Sequence, residues 1–232
     1  MLKAQIVKKR RDFTVEVALQ LAAGESLALF GPSGSGKSTV LACIAGIEEP
    51  DAGSVALGEQ ALFPPPLPLH KRPIGYLTQE PGLFPHLTVA ENVQFGVSRP
   101  NNSNQQWIST LRERLGLSAL WHAPASRISG GQARRVALAR MLARKPALVL
   151  LDEPFAGLDR QIVRELIDDL LDWSRQIGFS MIAVDHQAEV LERLCPDRVI
   201  ALESGSVIQE GRWDHLRRAP ATEQLRSLLA PL

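Results

Sequence analysis

Cysteine is scarce in this chain: Cys43 and Cys195 are the two present, and neither stands at metal-ligand spacing from a partner. That argues against a disulfide framework or a cysteine-held metal and suits free thiols in a reducing compartment. Long apolar runs are missing as well. Stretches such as Ala147 to Leu151 fall far short of the roughly 20 residues that a membrane-spanning helix needs. Lys8, Lys9, Arg10 and Arg11 lie near the N-terminus, but no apolar stretch follows them to make a signal peptide. A dominant charge sign is lacking too, with 26 basic and 25 acidic residues and a formal net charge of +1. No global field therefore draws the chain to nucleic acid or anionic lipid, and any such partner must meet a local surface. No internal repeat is seen. What is present is a 45% hydrophobic composition over 232 residues, enough for one large domain or a core plus a subdomain, and too much for a disordered chain.

Residues 2 to 7 and 13 to 21 alternate apolar and polar positions (Phe13, Val15, Val17, Leu19, Leu21), which predicts an antiparallel strand pair. Ser26 to Phe30 reads as a buried strand, and Lys37 to Ile47 as the helix behind it. The run from Phe63 to Pro68 is a surface connector, because proline fixes φ and lacks the amide donor. Ile74 to Thr78 is a strand ending at Gln79. From about Thr88 to Arg127 the pattern is helical, with the polar stretch Asn101 to Asn104 read as a loop inside it. Further on, the pattern predicts a helix from Gln132 to Arg144, a strand from Ala147 to Leu151, a helix from about Arg160 to Ile177 and a strand from Ser180 to Val184. A strand pair near Arg198 to Leu202 and Val207 to Gln209 precedes a C-terminal helix. Alternating strands and helices point to an α/β core with a mainly parallel sheet. An N-terminal antiparallel β subdomain and an inserted α-helical subdomain complete the expected layout.

Between the strand ending at Phe30 and the helix opening at Lys37 stands Gly31-Pro32-Ser33-Gly34-Ser35-Gly36-Lys37-Ser38, matching the G-x-x-x-x-G-K-[ST] phosphate loop in its strand-loop-helix context. Its glycines let backbone amides approach phosphate oxygens, and the helix adds a partial positive N-terminus. Lys37 is placed to reach the β- and γ-phosphates, and the Ser38 hydroxyl to ligate Mg²⁺. The strand Ala147 to Leu151 ends in Asp152-Glu153-Pro154, putting two carboxylates at the C-terminal edge of a parallel sheet, where open α/β folds bind ligands. One carboxylate, Asp152, then faces the metal, and the other, Glu153, the attacking water. His186 and Gln79 also end strands. A neutral His186 imidazole there can hydrogen-bond a γ-phosphate oxygen, although a lone histidine is more often a surface residue. Gln79 can touch metal or water.

A second glycine turn, Ile128-Ser129-Gly130-Gly131-Gln132, leads into a helix and offers another phosphate-sized cradle. Ser129 can at the same time be a plain N-cap of a helix whose apolar stripe is Val136, Ala139, Met141 and Leu142. The cap alone does not explain two glycines beside it.

The ordered set Gly31 to Thr39, Gln79, Ile128 to Gln132, Leu148 to Glu153, Ala156-Gly157-Leu158-Asp159 and His186 resembles the ATP-binding cassette (ABC) family over nearly the whole chain. The resemblance implies one cassette domain, residues 1–232, with a helical subdomain at 84–127. It implies an ATP- and Mg²⁺-dependent ATPase that powers a transporter. Two copies sandwich two ATP molecules, each held by one copy's phosphate loop and the other's Ser129 to Gln132. Glu153 is then the general base, His186 the γ-phosphate sensor, Gln79 the link between metal and membrane partner, and Asp159 part of the loop crossing the dimer interface. Lys37 completes the catalytic set. The helical block receives a membrane permease, which places the chain peripherally on the cytoplasmic face of the inner membrane. A solute-binding protein belongs to the full system.

Leu83-Phe84-Pro85 and Thr88 to Val93 look like the importer branch, especially those for small oxyanions such as molybdate or sulfate. Three positions depart from the family's pattern. Ile128 stands for a leucine, Asp185 and Gln187 flank His186 where threonine or serine and then aspartate are usual, and no aromatic is clearly set to stack on adenine. Phe13 is the best candidate for that stacking, and its alternation with Val15 and Val17 suits a core role equally. Against import stand an exporter subunit and a soluble cassette acting on nucleic acid or the ribosome. No coiled-coil insertion, second cassette or basic tract favours a nucleic-acid partner. Intact Lys37, Asp152, Glu153 and His186 argue against an inert module.

Overall fold

The computed structural model describes residues 1–97 and 102–230. Strands β1 (Leu2–Lys9) and β2 (Thr14–Leu21) pair antiparallel, with Leu2 opposite Leu21 and Lys9 opposite Thr14. The period of two in their sequence is obeyed: Leu2, Ala4, Ile6, Val15, Val17, Leu19 and Leu21 are all buried. Strand β3 (Ser26–Phe30) feeds the phosphate loop and helix α1 (Lys37–Ala45). Helix α1 stops at Gly46, whose left-handed backbone turns its N–H onto the carbonyls of Ala42 and Cys43.

Strands β4 (Ala52–Leu57) and β5 (Gln60–Phe63) then extend the antiparallel part. The proline-rich connector follows β5, and β6 (Ile74–Leu77) returns to the core. Helices α2 (Val89–Gln94), α3 (Asn102–Arg114) and α4 (Gly130–Leu142) come next, then β7 (Leu148–Asp152), α5 (Arg160–Ile177), β8 (Ser180–Val184) and α6 (Ala188–Leu194). The chain closes with β9 (Val199–Glu203), β10 (Ser206–Gly211), α7 (Trp213–Arg218) and α8 (Glu223–Leu229).

Among the described residues the ten strands form one mixed sheet, in the order β5-β4-β1-β2-β10-β9-β3-β8-β7-β6. The half from β9 to β6 is parallel, and the half from β5 to β2 is antiparallel. Strand β10 joins them, antiparallel to β9 and touching β2 in parallel at Ser206 and Glu16. Alternate residues of the parallel strands feed opposite cores. Leu27, Leu29, Leu148, Leu150, Ile182 and Val184 pack with α1 and the antiparallel strands. Ala28, Phe30, Val149, Leu151, Met181 and Ala183 pack with the helices of the other face. Burial on both faces is what a parallel strand requires, and it explains the unbroken apolar runs. Trp107 of α3 meets Trp173 of α5 edge-on at 5.7 Å and donates its indole N–H to the Leu142 carbonyl, which pins α3 onto the core.

Several expectations shift. Asn101 of the polar stretch read as a loop lies outside the described residues, and Asn102 to Asn104 open α3 rather than a loop. Helix α4 begins at Gly130 instead of Gln132, because Ser129 caps it with a reciprocal pair of hydrogen bonds. The expected C-terminal helix is two short ones, α7 and α8. Strands β4 and β5 and helix α6 were not foreseen. No helix among the described residues is long and apolar enough to cross a membrane.

Candidate functional site

The phosphate loop leaves β3 at Gly31, and φ there is +144°. A side chain at this position would put its Cβ 2.1 Å from the Leu202 carbonyl oxygen on β9, so the loop's first residue must be glycine. Gly36, at φ +101°, forms the N-cap of α1 with no side-chain cap, so nothing of its own covers the helix's first amides. Ser35 is buried, and its carbonyl accepts the Gly205 N–H from the β9–β10 turn. Lys37 arches back over the loop and donates to the carbonyls of Gly31 and Pro32 at 2.8 and 2.7 Å and to Ser35 Oγ at 3.3 Å. Burial pulls the Lys37 ammonium below the usual lysine value, while Asp152 and Glu153 oppose that shift. Pro32, Ser33 and Gly34 form the outer rim of the loop.

Ser38 opens toward β7: its Oγ donates to Asp152 Oδ1 at 3.1 Å, and the Tyr76 hydroxyl on β6 donates to Oδ2 at 3.2 Å. Asp152 is 6% exposed. Burial raises its carboxyl above the usual value, while the bonds from Ser38 and Tyr76 hold it down. Glu153 follows in a left-handed backbone conformation, φ +48°, which a non-glycine residue adopts at a cost of about 1–3 kcal/mol. Its own N–H is held by the Val184 carbonyl on β8. The twist throws consecutive carboxylates apart, so Asp152 faces Ser38 and Glu153 accepts from Gln79 Nε2 at 3.1 Å. The phosphate loop, Asp152, Glu153 and Gln79 thus share one sheet edge.

His186 stands after β8, exposed, with Nδ1 3.5 Å from the carboxylate of the buried Asp185. A cleft of about 320 Å³ beside the phosphate loop is lined by Arg10, Phe13, Gly34, Gly36, Ser38 and Thr39 among others. Phe13 is half-buried at its wall, 3.6 Å from where a Gly36 Cβ would sit. Its ring therefore borders the cleft and also packs inward, and both sequence readings keep a footing. Arg10 braces the cleft by donating to Thr39 Oγ1 and to Glu48.

Among the described residues the second glycine turn makes its cap bonds within itself. Ser129 Oγ accepts the Gln132 N–H, and Gln132 Oε1 accepts the Ser129 N–H, while Ser129 and Gly130 face outward. A Cβ on Gly130 would meet nothing within 4 Å, and one on Gly131 would come 3.0 Å from Leu158. The segment Ala156 to Asp159 therefore packs directly beside the turn. Asp159 is exposed at the N-cap of α5 and makes no cap bond.

Three contributors were not read from the sequence. Tyr76 is the chain's single tyrosine, and strand alternation on β6 was the signal that could have aimed it at Asp152. Buried Arg134 of α4 donates to the main-chain carbonyls of Thr78 and Gln79, tying the glycine-turn helix to the Gln79 loop. Nothing in its sequence neighbourhood marks it. Arg10 looked like one of a basic run.

A lysine-bearing glycine loop, a hydroxyl bonded to a buried carboxylate and a second carboxylate beside it define a P-loop nucleoside triphosphatase site. Comparison with known proteins narrows the class. The family model described as ABC transporter matches residues 15–156. The chain is 37% identical over 99% of its length to the molybdate/tungstate import ATP-binding protein WtpC of Pyrococcus horikoshii, covering 67% of that protein. It is 38% identical to the molybdenum import ATP-binding protein ModC of Pseudomonas savastanoi, covering 95% of this chain and 60% of that protein. To the Fe(3+) ions import ATP-binding protein FbpC of Pseudomonas fluorescens it is 41% identical, over 90% and 60%. Among solved structures it matches the post-hydrolysis dimer of the ATP-binding cassette MJ0796 with ADP and Pi. There the TM-score is 0.80 and the identity 27%, over 91% of this chain and 98% of that one. The chain belongs to the ABC transporter family, and it spans about 60–67% of the length of the curated relatives named here.

Proposed function

We propose that the chain is the ATP-hydrolysing cassette of an importer and works as an ATP-sandwiched homodimer. It sits peripherally on the cytoplasmic face of the membrane beneath permease subunits, in a system that also has a solute-binding protein. Residues 1–232 act as one cassette domain with residues 84–127 as its helical subdomain. The observation that carries this reading is the division between two turns: the loop Gly31 to Ser38 meets its carboxylates within the chain, whereas the turn Ser129 to Gln132 has its cap already satisfied and turns Ser129 and Gly130 outward. An outward-facing phosphate cradle is what a second copy's ATP would use.

In this reading Gly31 to Thr39 cradles the triphosphate and Lys37 leaves its loop carbonyls for the β- and γ-phosphates. Among the described residues no cluster of three or more His, Cys, Asp or Glu could hold a metal by itself. The oxygen donors fit Mg²⁺, which takes one or two protein oxygens and completes its shell with phosphate and water. Ser38 and Asp152 would hold it, with Gln79 at its edge, and the ion would neutralise charge on the phosphates. Glu153, already a hydrogen-bond acceptor at the same edge, takes a proton from the attacking water. His186 contacts the γ-phosphate, and Asp159 meets the other copy. Phe13 borders the adenine.

Two of the three curated relatives are molybdenum-type importers, which supports a small oxyanion as cargo; the Fe(3+) relative supports a metal-ion cargo as a second reading. Glu153→Gln is expected to lower turnover by at least about a hundredfold while ATP binding persists. Near-normal phosphate release by that variant would overturn the assignment. Uptake of molybdate against Fe³⁺ in vesicles containing the co-purified permease decides the cargo.

A further inference from the structure

One charged group near the site has no role in the reading above. Asp185 is 4% exposed, lies between β8 and α6, and precedes an exposed histidine. Its Oδ1 accepts the Gln187 N–H at 2.9 Å, so the carboxylate is fixed in place by the main chain. The same oxygen lies 3.5 Å from His186 Nδ1. Burial pushes the Asp185 carboxyl up, and the Gln187 N–H and the neighbouring imidazole draw it back down, with Glu153 at the end of β7 pushing up again. Glu153 in turn acts on the Lys37 ammonium of α1.

A neutral imidazole has one N–H. If Nδ1–H points at Asp185, Nε2 carries a lone pair and repels a phosphate oxygen. If Nε2–H points at the phosphate, the Nδ1 lone pair faces a fixed carboxylate. Protonation of both nitrogens removes the conflict. We propose that Asp185 is the positioning carboxylate of His186: it holds Nδ1–H, so that His186 meets the γ-phosphate as an imidazolium donating through Nε2, and ATP binding draws in a proton. The proton comes from solvent on binding and returns to it when the γ-phosphate leaves. A plain structural role, in which the carboxylate only ties the turn through Gln187, moves no proton.

The inference rests on His186 contacting the γ-phosphate, and the experiment separates the two ideas. Isothermal titration of the full chain with Mg²⁺ and the non-hydrolysable analogue adenylyl imidodiphosphate, or with ADP, is run at about pH 8 in buffers of different ionisation enthalpy. The wild type is expected to take up close to one more proton per site with the analogue than with ADP. Absence of that excess in the wild type overturns the proposal without any variant. Asp185→Asn keeps the acceptor oxygen for Gln187 and removes the charge, so it should abolish the excess and move the alkaline limb of the hydrolysis profile down by about one pH unit. An unchanged excess and profile in Asp185→Asn overturn the proposal. His186→Ala is the control: if it keeps both hydrolysis and the proton excess, the γ-phosphate contact itself is wrong and the inference falls with it. If it loses both while Asp185→Asn stays like the wild type, the contact stands and only the role of Asp185 is rejected.

Discussion

The two glycine turns, Gly31 to Ser38 and Ser129 to Gln132, each open a helix, yet they are built in opposite ways. The first is held by its own chain: Gly31 abuts the Leu202 carbonyl, the Ser35 carbonyl takes the Gly205 N–H, and Lys37 and Ser38 reach groups of the same subunit. Its helix has no side-chain cap. The second turn is capped twice over by Ser129 and Gln132, and its glycines meet little beyond Leu158. A loop that must order several amides around a ligand is braced from behind and left open in front. A turn that only has to present amides to something arriving from outside can satisfy itself first. The contrast teaches that a glycine-rich helix start is not one kind of site; its partners within the chain tell which side completes it.

The largest test of the contrast is Lys37→Ala, which should cut ATP hydrolysis by about a hundred- to a thousandfold through loss of a phosphate-facing charge. Phosphate release at saturating ATP measures it, and activity within about tenfold of wild type would remove Lys37 from the catalytic set. Ser129→Arg should leave nucleotide binding to the single subunit intact and block ATP-dependent dimer formation. Size-exclusion chromatography with ATP settles this, and a dimer of the variant would mean that the second turn is not a contact site.

Next come the glycines themselves. Gly31→Ala drives a Cβ into a backbone oxygen and should cost about 1–3 kcal/mol or more, whereas Gly131→Ala presses on the flexible tip of Leu158, with the Gly157 carbonyl at an ordinary 3.7 Å, and should cost far less. Equal losses in urea unfolding would contradict the idea that one turn is braced and the other free. Ser129→Ala, the smallest change, removes a cap worth about 1 kcal/mol and should be readable in the same unfolding curves.

Much of this was legible from residues alone. The motif Gly31 to Ser38 and the pair Asp152-Glu153 carry their chemistry in local spacing, and the strands β3 and β8 fall where the apolar runs placed them. Strands β4 and β5 were missed because Ala52 to Leu57 contains Gly53 and Ser54 and buries few residues, so neither alternation nor an apolar run marks it. Asn102 to Asn104 are polar residues that resemble a loop, yet they start a helix because Trp107, Leu111 and Leu115 further along need the core. Tyr76 and Arg134 escaped for a different reason. Each acts across a tertiary contact, on Asp152 in one case and on the Gln79 loop in the other, and such contacts leave no period in the sequence.

Arg134 also has a consequence for how this chain tolerates change. Its guanidinium grips the main-chain oxygens of Thr78 and Gln79 and none of their side chains. Every amino acid supplies the same carbonyl, so residue 78 can be replaced without altering the length of the strut between α4 and the loop. The side chain at the arginine end has no such freedom: lysine offers one compact ammonium where a planar fork now spans two carbonyls. The connection between the two glycine-bearing halves of the machine is thus written in a single codon on one side and in the backbone on the other.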